Sequence, residues 1–320
     1  MIWVGILGAK GYFGEELSKL IAGHQSAQVS TMLDLQEFNE SGCGFSRGNG
    51  KSAGYLKMMN AINRADVIFN GFSGTVAEDI YSKALSNGKK IIDVGDKQHI
   101  DGSAYPGSVF GLSELYKDKM KDASIAANPS SYCTGAMLGL APLAAGNLID
   151  INTAVIESKS GISCLRCGDK LECTDITTDD GSKIYKMESR DYAEEVKKQM
   201  LALFGKDALS SYTSYIIPGI KGIITSITAE PGTGFGGRDI SEIYRDFYKF
   251  NPLIEIGGAD TINGARNGFD KYFCSISAST DADTGKITVT TILDDVVRGS
   301  ASQAVQTMNL MYGIEGIVGL

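Results

Sequence analysis

The chain has 320 residues, 43% of them hydrophobic and 21% charged, and a formal net charge of −8. That length is enough for two domains with real cores. An acidic balance with no basic block excludes nucleic acid and an anionic membrane as main partners, and no apolar run reaches the roughly 18 residues that a bilayer span needs. The first residues, Met-Ile-Trp-Val-Gly-Ile-Leu-Gly, enter a strand directly, with no charged n-region and no cleavage site, so a cytoplasmic protein is expected. Six cysteines in such a chain point to metal binding or catalysis rather than to a disulfide framework.

Residues 2–7 read as a buried strand, followed by Gly8, Gly11 and Gly14 in the spacing G-x2-G-x2-G. A helix over residues 14–22 has Leu17, Leu20 and Ile21 on one face. Glycines let backbone N–H groups approach a pyrophosphate, and a helix N-terminus favours its charge. Gly8, Lys10, Gly11, Tyr12 and Gly14 are therefore candidate dinucleotide contacts, with a plain strand–helix turn as the alternative. A second strand over residues 28–33 leads to Asp34, placed to accept a ribose 2′-hydroxyl, which favours NAD over NADP; the alternative is a solvated loop aspartate.

Residues 36–54, rich in Gly, Ser and Asn and containing Cys43, read as a mobile loop. Strands over residues 66–69 and 90–94 flank a helix near residues 76–87, and a further strand over 124–127 precedes a helix that runs to about residue 148. Alternating strands and helices mean a doubly wound parallel sheet of Rossmann type. From residue 151 the pattern changes to strands at 153–158, 214–217, 223–229, 272–280 and 286–293, with helices at 191–204 and 240–250. The expected class is thus α/β, with an α+β second domain built on a largely antiparallel sheet. The expected boundaries are residues 1–149 with 298–320 for the dinucleotide domain and 150–297 for the substrate and oligomer domain; the last helix spans about residues 300–312.

Several pieces carry a family likeness: Gly8-Ala-Lys-Gly-Tyr-Phe-Gly-Glu-Glu-Leu17, Phe110-Gly-Leu-Ser-Glu-Leu-Tyr116, Asn128-Pro129 with Tyr132 and Thr134, Lys159-Ser-Gly-Ile-Ser163, and the segment from Asp294 to Gly313. Over essentially its whole length the chain resembles N-acetyl-γ-glutamyl-phosphate reductase, of the semialdehyde dehydrogenase superfamily. The resemblance implies NADPH-dependent reduction of an acyl phosphate to an aldehyde, by a cysteine nucleophile with a histidine acid/base. Matched to that pattern, the cysteine position holds Ser131 and the histidine position holds Tyr215. Gln303 and Asn309 match the final helix, which lies near the nicotinamide side in the family, or they serve as packing and capping groups. The segment that faces the family's active site has become Ser163-Cys-Leu-Arg-Cys167.

The only histidines are His24 and His99, both in the first domain, so no second-domain base exists. Losing a general base costs about 10²–10⁴-fold, and a serine without a base is a poor nucleophile at neutral pH. Cys133 is the candidate substitute nucleophile, but it lies two residues from Ser131, which is ~200° around a helix. Cys164, Cys167 and Cys173 form C-x2-C-x5-C. With Cys133, or with Cys43 in its place, they have the thiolates for a [4Fe–4S] cluster, or for zinc as the alternative. The expectation is a divergent, reductase-like redox protein with a cysteine-ligated centre at the former active site, a small-molecule substrate and a homo-oligomeric state, dimer or tetramer. Two alternatives stand beside it: an NAD(P)-dependent oxidoreductase using Cys133, and a non-catalytic cluster carrier or scaffold.

Overall fold

The computed structural model describes residues 1–8, 12–34, 53–95, 105–161, 163, 171–177, 183–187, 190–207, 209, 211–217, 222–257 and 272–320. They divide into two compact units, Met1–Pro129 with Ser300–Leu320, and Ser130–Gly299.

The first unit begins β1 (Ile2–Leu7), α1 (Tyr12–Gly23), β2 (Ala27–Leu33), α2 (Ala53–Arg64), β3 (Val67–Asn70), α3 (Gly74–Ser86) and β4 (Lys90–Asp93). It continues with β5 (Ser108–Phe110), α4 (Ser113–Met120) and β6 (Ile125–Ala127). The sheet order is β2-β1-β3-β4-β6-β5, and every pairing is parallel. Central strands such as Val67–Asn70 are buried at every position, as helices on both faces of a parallel sheet require. The stripe Leu17, Leu20 and Ile21 of α1 is buried as its spacing predicts.

Two differences stand out. Ala53 and Gly54, expected at the end of a loop, open α2, whose Met58, Ala61 and Ile62 join the core with Leu7, Ile68 and Ile80. Glycine is costly chiefly in a helix interior, so one in the first turn does not prevent the start. The segment around Glu114, for which no helix was expected, is the helix α4, and Glu114 accepts a hydrogen bond from Gln306 at 3.1 Å.

The second unit contains α5 (Ser131–Ala145), β7 (Val155–Ser160), β8 (Leu171–Thr177), β9 (Lys183–Met187), α6 (Arg190–Phe204), β10 (Ser211–Ile216) and β11 (Ile223–Ala229). It ends with α7 (Ile240–Tyr248), β12 (Ile254–Gly257), β13 (Cys274–Thr280) and β14 (Ile287–Leu293). After a π-type turn at Val297–Ala301, α8 (Ser302–Met311) returns to the first unit. The sheet order is β12-β13-β14-β11-β7-β10-β9-β8, antiparallel except for the β7–β10 and β12–β13 pairs.

Helix α5 belongs by its packing to this second unit, although it falls within residues 1–149. Two glycines bring it onto the sheet. A Cβ on Gly139 would stand 2.5 Å from the Ile227 side chain, and one on Gly135 would stand 3.0 Å from Thr225 Oγ1. The helix ends at Ala145 rather than near residue 148, with Gly146 as its C-cap. Pro142 inside it has no N–H for the carbonyl of Leu138; Tyr248 of α7 donates to that carbonyl instead, at 2.6 Å.

Candidate functional site

In the first unit β1 leads to α1 and β2 on one side of the sheet, and β3 lies on the other side. Strand order therefore reverses between β1 and β3, and the crevice at their C-terminal ends is where such a sheet binds a ligand. Gly8 stands there with φ +74°, and a Cβ on it would lie 2.8 Å from the backbone N of Phe72. Its N–H donates to the carbonyl of Leu33 at 2.7 Å, which sets Asp34 beside it at the end of β2. Tyr12 is the first residue of α1, and Gly14 lies in its first turn, where its carbonyl accepts from Ser18 Oγ at 2.7 Å. Lys10 and Gly11 lie outside the described residues. Gln303 is fully buried in the first turn of α8.

Two further parts of the crevice went unread in the sequence. Asn70 and Asp93, at the ends of β3 and β4, are both fully buried; Asn70 Nδ2 donates to Asp93 Oδ1 at 2.8 Å and to the Phe72 carbonyl at 3.0 Å. A Cβ on Gly95 would stand 2.5 Å from the Phe72 carbonyl oxygen. Strand-then-glycine recurs at Gly8, Gly71 and Gly95, and that repetition was the available signal. His24 is held by its own network: its Nδ1 accepts from the Ser26 N–H at 3.0 Å, and its Nε2 lies 2.9 Å from Asn309 Oδ1. The Asn309 amide in turn donates to the carbonyls of Gly316 and Val318 at 3.2 and 2.8 Å, a capping role rather than a ligand-facing one.

In the second unit the first turn of α5 carries Ser131 and Cys133. Ser130 is the N-cap: its Oγ accepts from the Cys133 N–H at 3.0 Å. The same hydroxyl donates to Glu195 Oε2 at 2.5 Å, and the Ser130 N–H donates to Glu195 Oε1 at 3.0 Å. A carboxylate on α6 thus fixes the start of α5 through both of its oxygens. Ser131 is buried, and a Cβ on Gly299 would lie 2.5 Å from its Cβ. Cys133 is fully buried. Burial holds the Tyr212 phenol well above its ordinary range; a hydrogen bond with Ser158 opposes this, while Cys133, Glu195 and Tyr192 add to it.

Tyr215 is not brought to Cys133. Tyr212, whose hydroxyl lies 3.0 Å from Ser158 Oγ and 3.5 Å from the Tyr132 carbonyl, faces α5. Residues alternate along a strand, so Tyr215, three positions on, projects from the opposite face of the sheet.

Nor does Cys173 lie beside Cys133. Cys173 lies on β8, in register through Tyr185, Ile216 and Ser160 with Ile223 of β11. The first turn of α5 lies against β7 and β10, where the Tyr132 hydroxyl is 2.6 Å from Ser160 Oγ and the Tyr212 hydroxyl 3.5 Å from the Tyr132 carbonyl. Tyr212, the β10 residue beside Cys133, lies four residues along its strand from Ile216 and two strand steps from β8, or about 16 Å from Cys173. Zinc holds its thiolates at ~2.3 Å, so Cys133 does not fit a ligand set that includes Cys173. Cys43, Cys164, Cys167 and the side chain of Cys173 lie outside the described residues, among which no three His, Cys, Asp or Glu side chains gather as a metal site. Cys274 is buried in β13, as its strand position predicts.

Known proteins are similar to the chain throughout. Residues 3–123 match the semialdehyde dehydrogenase NAD binding domain, and residues 131–295 match the semialdehyde dehydrogenase dimerisation domain. The N-acetyl-γ-glutamyl-phosphate reductase of Desulforudis audaxviator is 28% identical, over 100% of this chain and 98% of that protein. That of Thermoanaerobacter pseudethanolicus is also 28% identical, over 98% and 96%. Among solved structures, aspartate semialdehyde dehydrogenase II of Vibrio cholerae shares the fold with a TM-score of 0.69 at 15% identity, covering 98% of each chain. The chain belongs to the semialdehyde dehydrogenase family, as a relative of the N-acetyl-γ-glutamyl-phosphate reductases that has no histidine in its second unit.

Proposed function

We propose that the chain is an oxidoreductase that holds a nicotinamide dinucleotide in its first unit and does not use the thiol chemistry of its reductase relatives. The observation that carries this is Gly8, a left-handed glycine at the strand-order reversal with no room for a Cβ. The N-terminus of α1 would take the pyrophosphate, and Asp34 would take the adenosine ribose, favouring NADH over NADPH. The bound dinucleotide would supply hydride. The chain's own contribution is the shape of the cradle and the buried Asn70–Asp93 pair that fixes its floor. In the second unit, Ser131 has no histidine to take its proton, and Cys133 is fully buried. A covalent acyl intermediate on either residue has no support in these geometries. The substrate class that the relatives imply is a small acyl phosphate or its semialdehyde. Calorimetric titration with NADH and NADPH tests the binding. An assay with N-acetylglutamyl phosphate tests the chemistry, with turnover expected to stay at background.

The second reading keeps a metal centre on Cys164, Cys167 and Cys173, with Cys43 as the fourth thiolate. The C-x2-C-x5-C spacing supports it, since such a pair is a common soft chelate. Anaerobic purification with iron, zinc and sulfide analysis tests it. A [4Fe–4S] centre would give about four irons per chain, lost in Cys164→Ala, while zinc without sulfide would indicate a structural ion. A homo-oligomer formed through the second sheet is the reading for assembly. It is supported by the dimerisation-domain match and by the half-exposed sheet face that carries Glu157, Lys159 and Tyr215. Light scattering after gel filtration tests it.

A further inference from the structure

Asn128 terminates β6. Its backbone N–H donates to the Asp93 carbonyl at 2.8 Å, and its side-chain Nδ2 donates to the Ser300 carbonyl at 3.3 Å. The residue is 2% exposed, and its Oδ1 is buried with no hydrogen-bond partner. Buried acceptors in native proteins are almost always satisfied, so one left open calls for a reason.

Its surroundings supply one. The ends of the neighbouring strands are glycines that keep side chains away. A Cβ on Gly95 would meet the Phe72 carbonyl oxygen at 2.5 Å, and one on Gly111 would meet the Ala127 carbonyl oxygen at 2.9 Å. Asp34, the adenosine-side group, stands at the end of β2, on the far side of β1 from β3. A dinucleotide with its pyrophosphate at Gly8 therefore extends its other half over β3, β4 and β6. From the β1–β3 crevice to β6 is two and a half strand spacings, about 12 Å. That is about the reach of the nicotinamide ribose and ring from the pyrophosphate.

We infer that Asn128 reads the nicotinamide end of the dinucleotide: its Oδ1 accepts a hydrogen bond from the carboxamide N–H, while its Nδ2 stays tied to Ser300. This rests on the dinucleotide reading above. Such a contact accepts a carboxamide and disfavours a ring that carries a methyl ketone, which has no N–H to give.

The test compares NADH with its 3-acetylpyridine analogue, which differs only in that group, by calorimetric titration of the full chain. ADP-ribose, which lacks the ring, serves as the control. The expected result is a preference for NADH of about fivefold or more. That preference disappears in both Asn128→Ala and Asn128→Leu, while ADP-ribose affinity is unchanged. Both dinucleotides share every other atom, so their affinity ratio is insensitive to a general loosening of the domain by either substitution. A preference that persists in both variants overturns the role of Asn128 and leaves dinucleotide binding standing. Equal affinity of the unaltered chain for the two dinucleotides overturns it as well. Failure of the unaltered chain to bind any of the three ligands overturns the dinucleotide reading, and with it this inference.

Discussion

The start of α5 is held by two charge-assisted hydrogen bonds from Ser130 to Glu195, at 2.5 and 3.0 Å. A hydrogen bond to a charged group contributes roughly 1.5–3 kcal/mol when buried. Glu195 is only half-buried, so a combined contribution near the low end, about 2 kcal/mol, is expected. Glu195→Ala should lose that amount. Ser130→Ala should lose only the hydroxyl's share, about 1 kcal/mol, because the backbone N–H still reaches Glu195, together with the N-cap to the Cys133 amide, about 1 kcal/mol more. The double variant should cost about 3 kcal/mol, against about 4 for the two single losses added together, giving a coupling of roughly 1 kcal/mol from the shared hydroxyl–carboxylate bond. Hydrogen exchange of the amides at Cys133 and Thr134, followed in all four proteins, reads the local effect, because about 1.4 kcal/mol is a tenfold change in protection. Additive losses, with coupling below about 0.3 kcal/mol, would refute the clamp and leave Glu195 as a surface carboxylate.

Gly8→Val should remove dinucleotide binding and destabilise the first unit by about 2 kcal/mol or more. The left-handed backbone alone costs ~1–2 kcal/mol for a side chain, and the Cβ meets backbone rather than a movable group; thermal unfolding and titration together check it. Gly299→Ala should destabilise by about 1–3 kcal/mol, since its Cβ would stand 2.5 Å from that of Ser131; denaturant unfolding reads it. Ser131→Cys installs the cysteine that the resemblance implies at this position but should leave turnover of N-acetylglutamyl phosphate at background, because no second-unit histidine is present. Tyr212, Tyr244 and Tyr312 all ionise above the usual 10.0 in the folded chain, chiefly through burial. Unfolded tyrosines lose their protons first as pH rises, so their contribution to stability should be constant below about pH 10 and fall above it. Tyr212→Phe should flatten that fall, as followed by denaturant midpoints against pH.

The first unit was legible because buried parallel strands are continuous apolar runs and Gly8 marks the turn between β1 and α1. Strand β5 has only three residues, too few to show a period. Helix α4 carries Lys117, Lys119 and Asp118 around a narrow stripe of Tyr116 and Met120. In the second unit, β8 is a sheet edge carrying Glu172, Thr174, Asp175 and Thr177, and β9 beside it has only five residues, two of them lysines, so neither gave a strand signal. The clamp on α5 joins residues 65 positions apart, and the orphan oxygen of Asn128 depends on strands brought together by the fold. Neither is a local pattern. The separation of Cys133 from Cys173 is likewise not local: it needed the register of β10, β9 and β8.

Calorimetric titration of the purified chain with NADH and NADPH tests the central claim most directly. One saturable site per chain, tighter for NADH and lost in Gly8→Val, is the predicted result. Absence of saturable binding for both nucleotides would contradict it and leave the first unit as a fold kept without its cofactor.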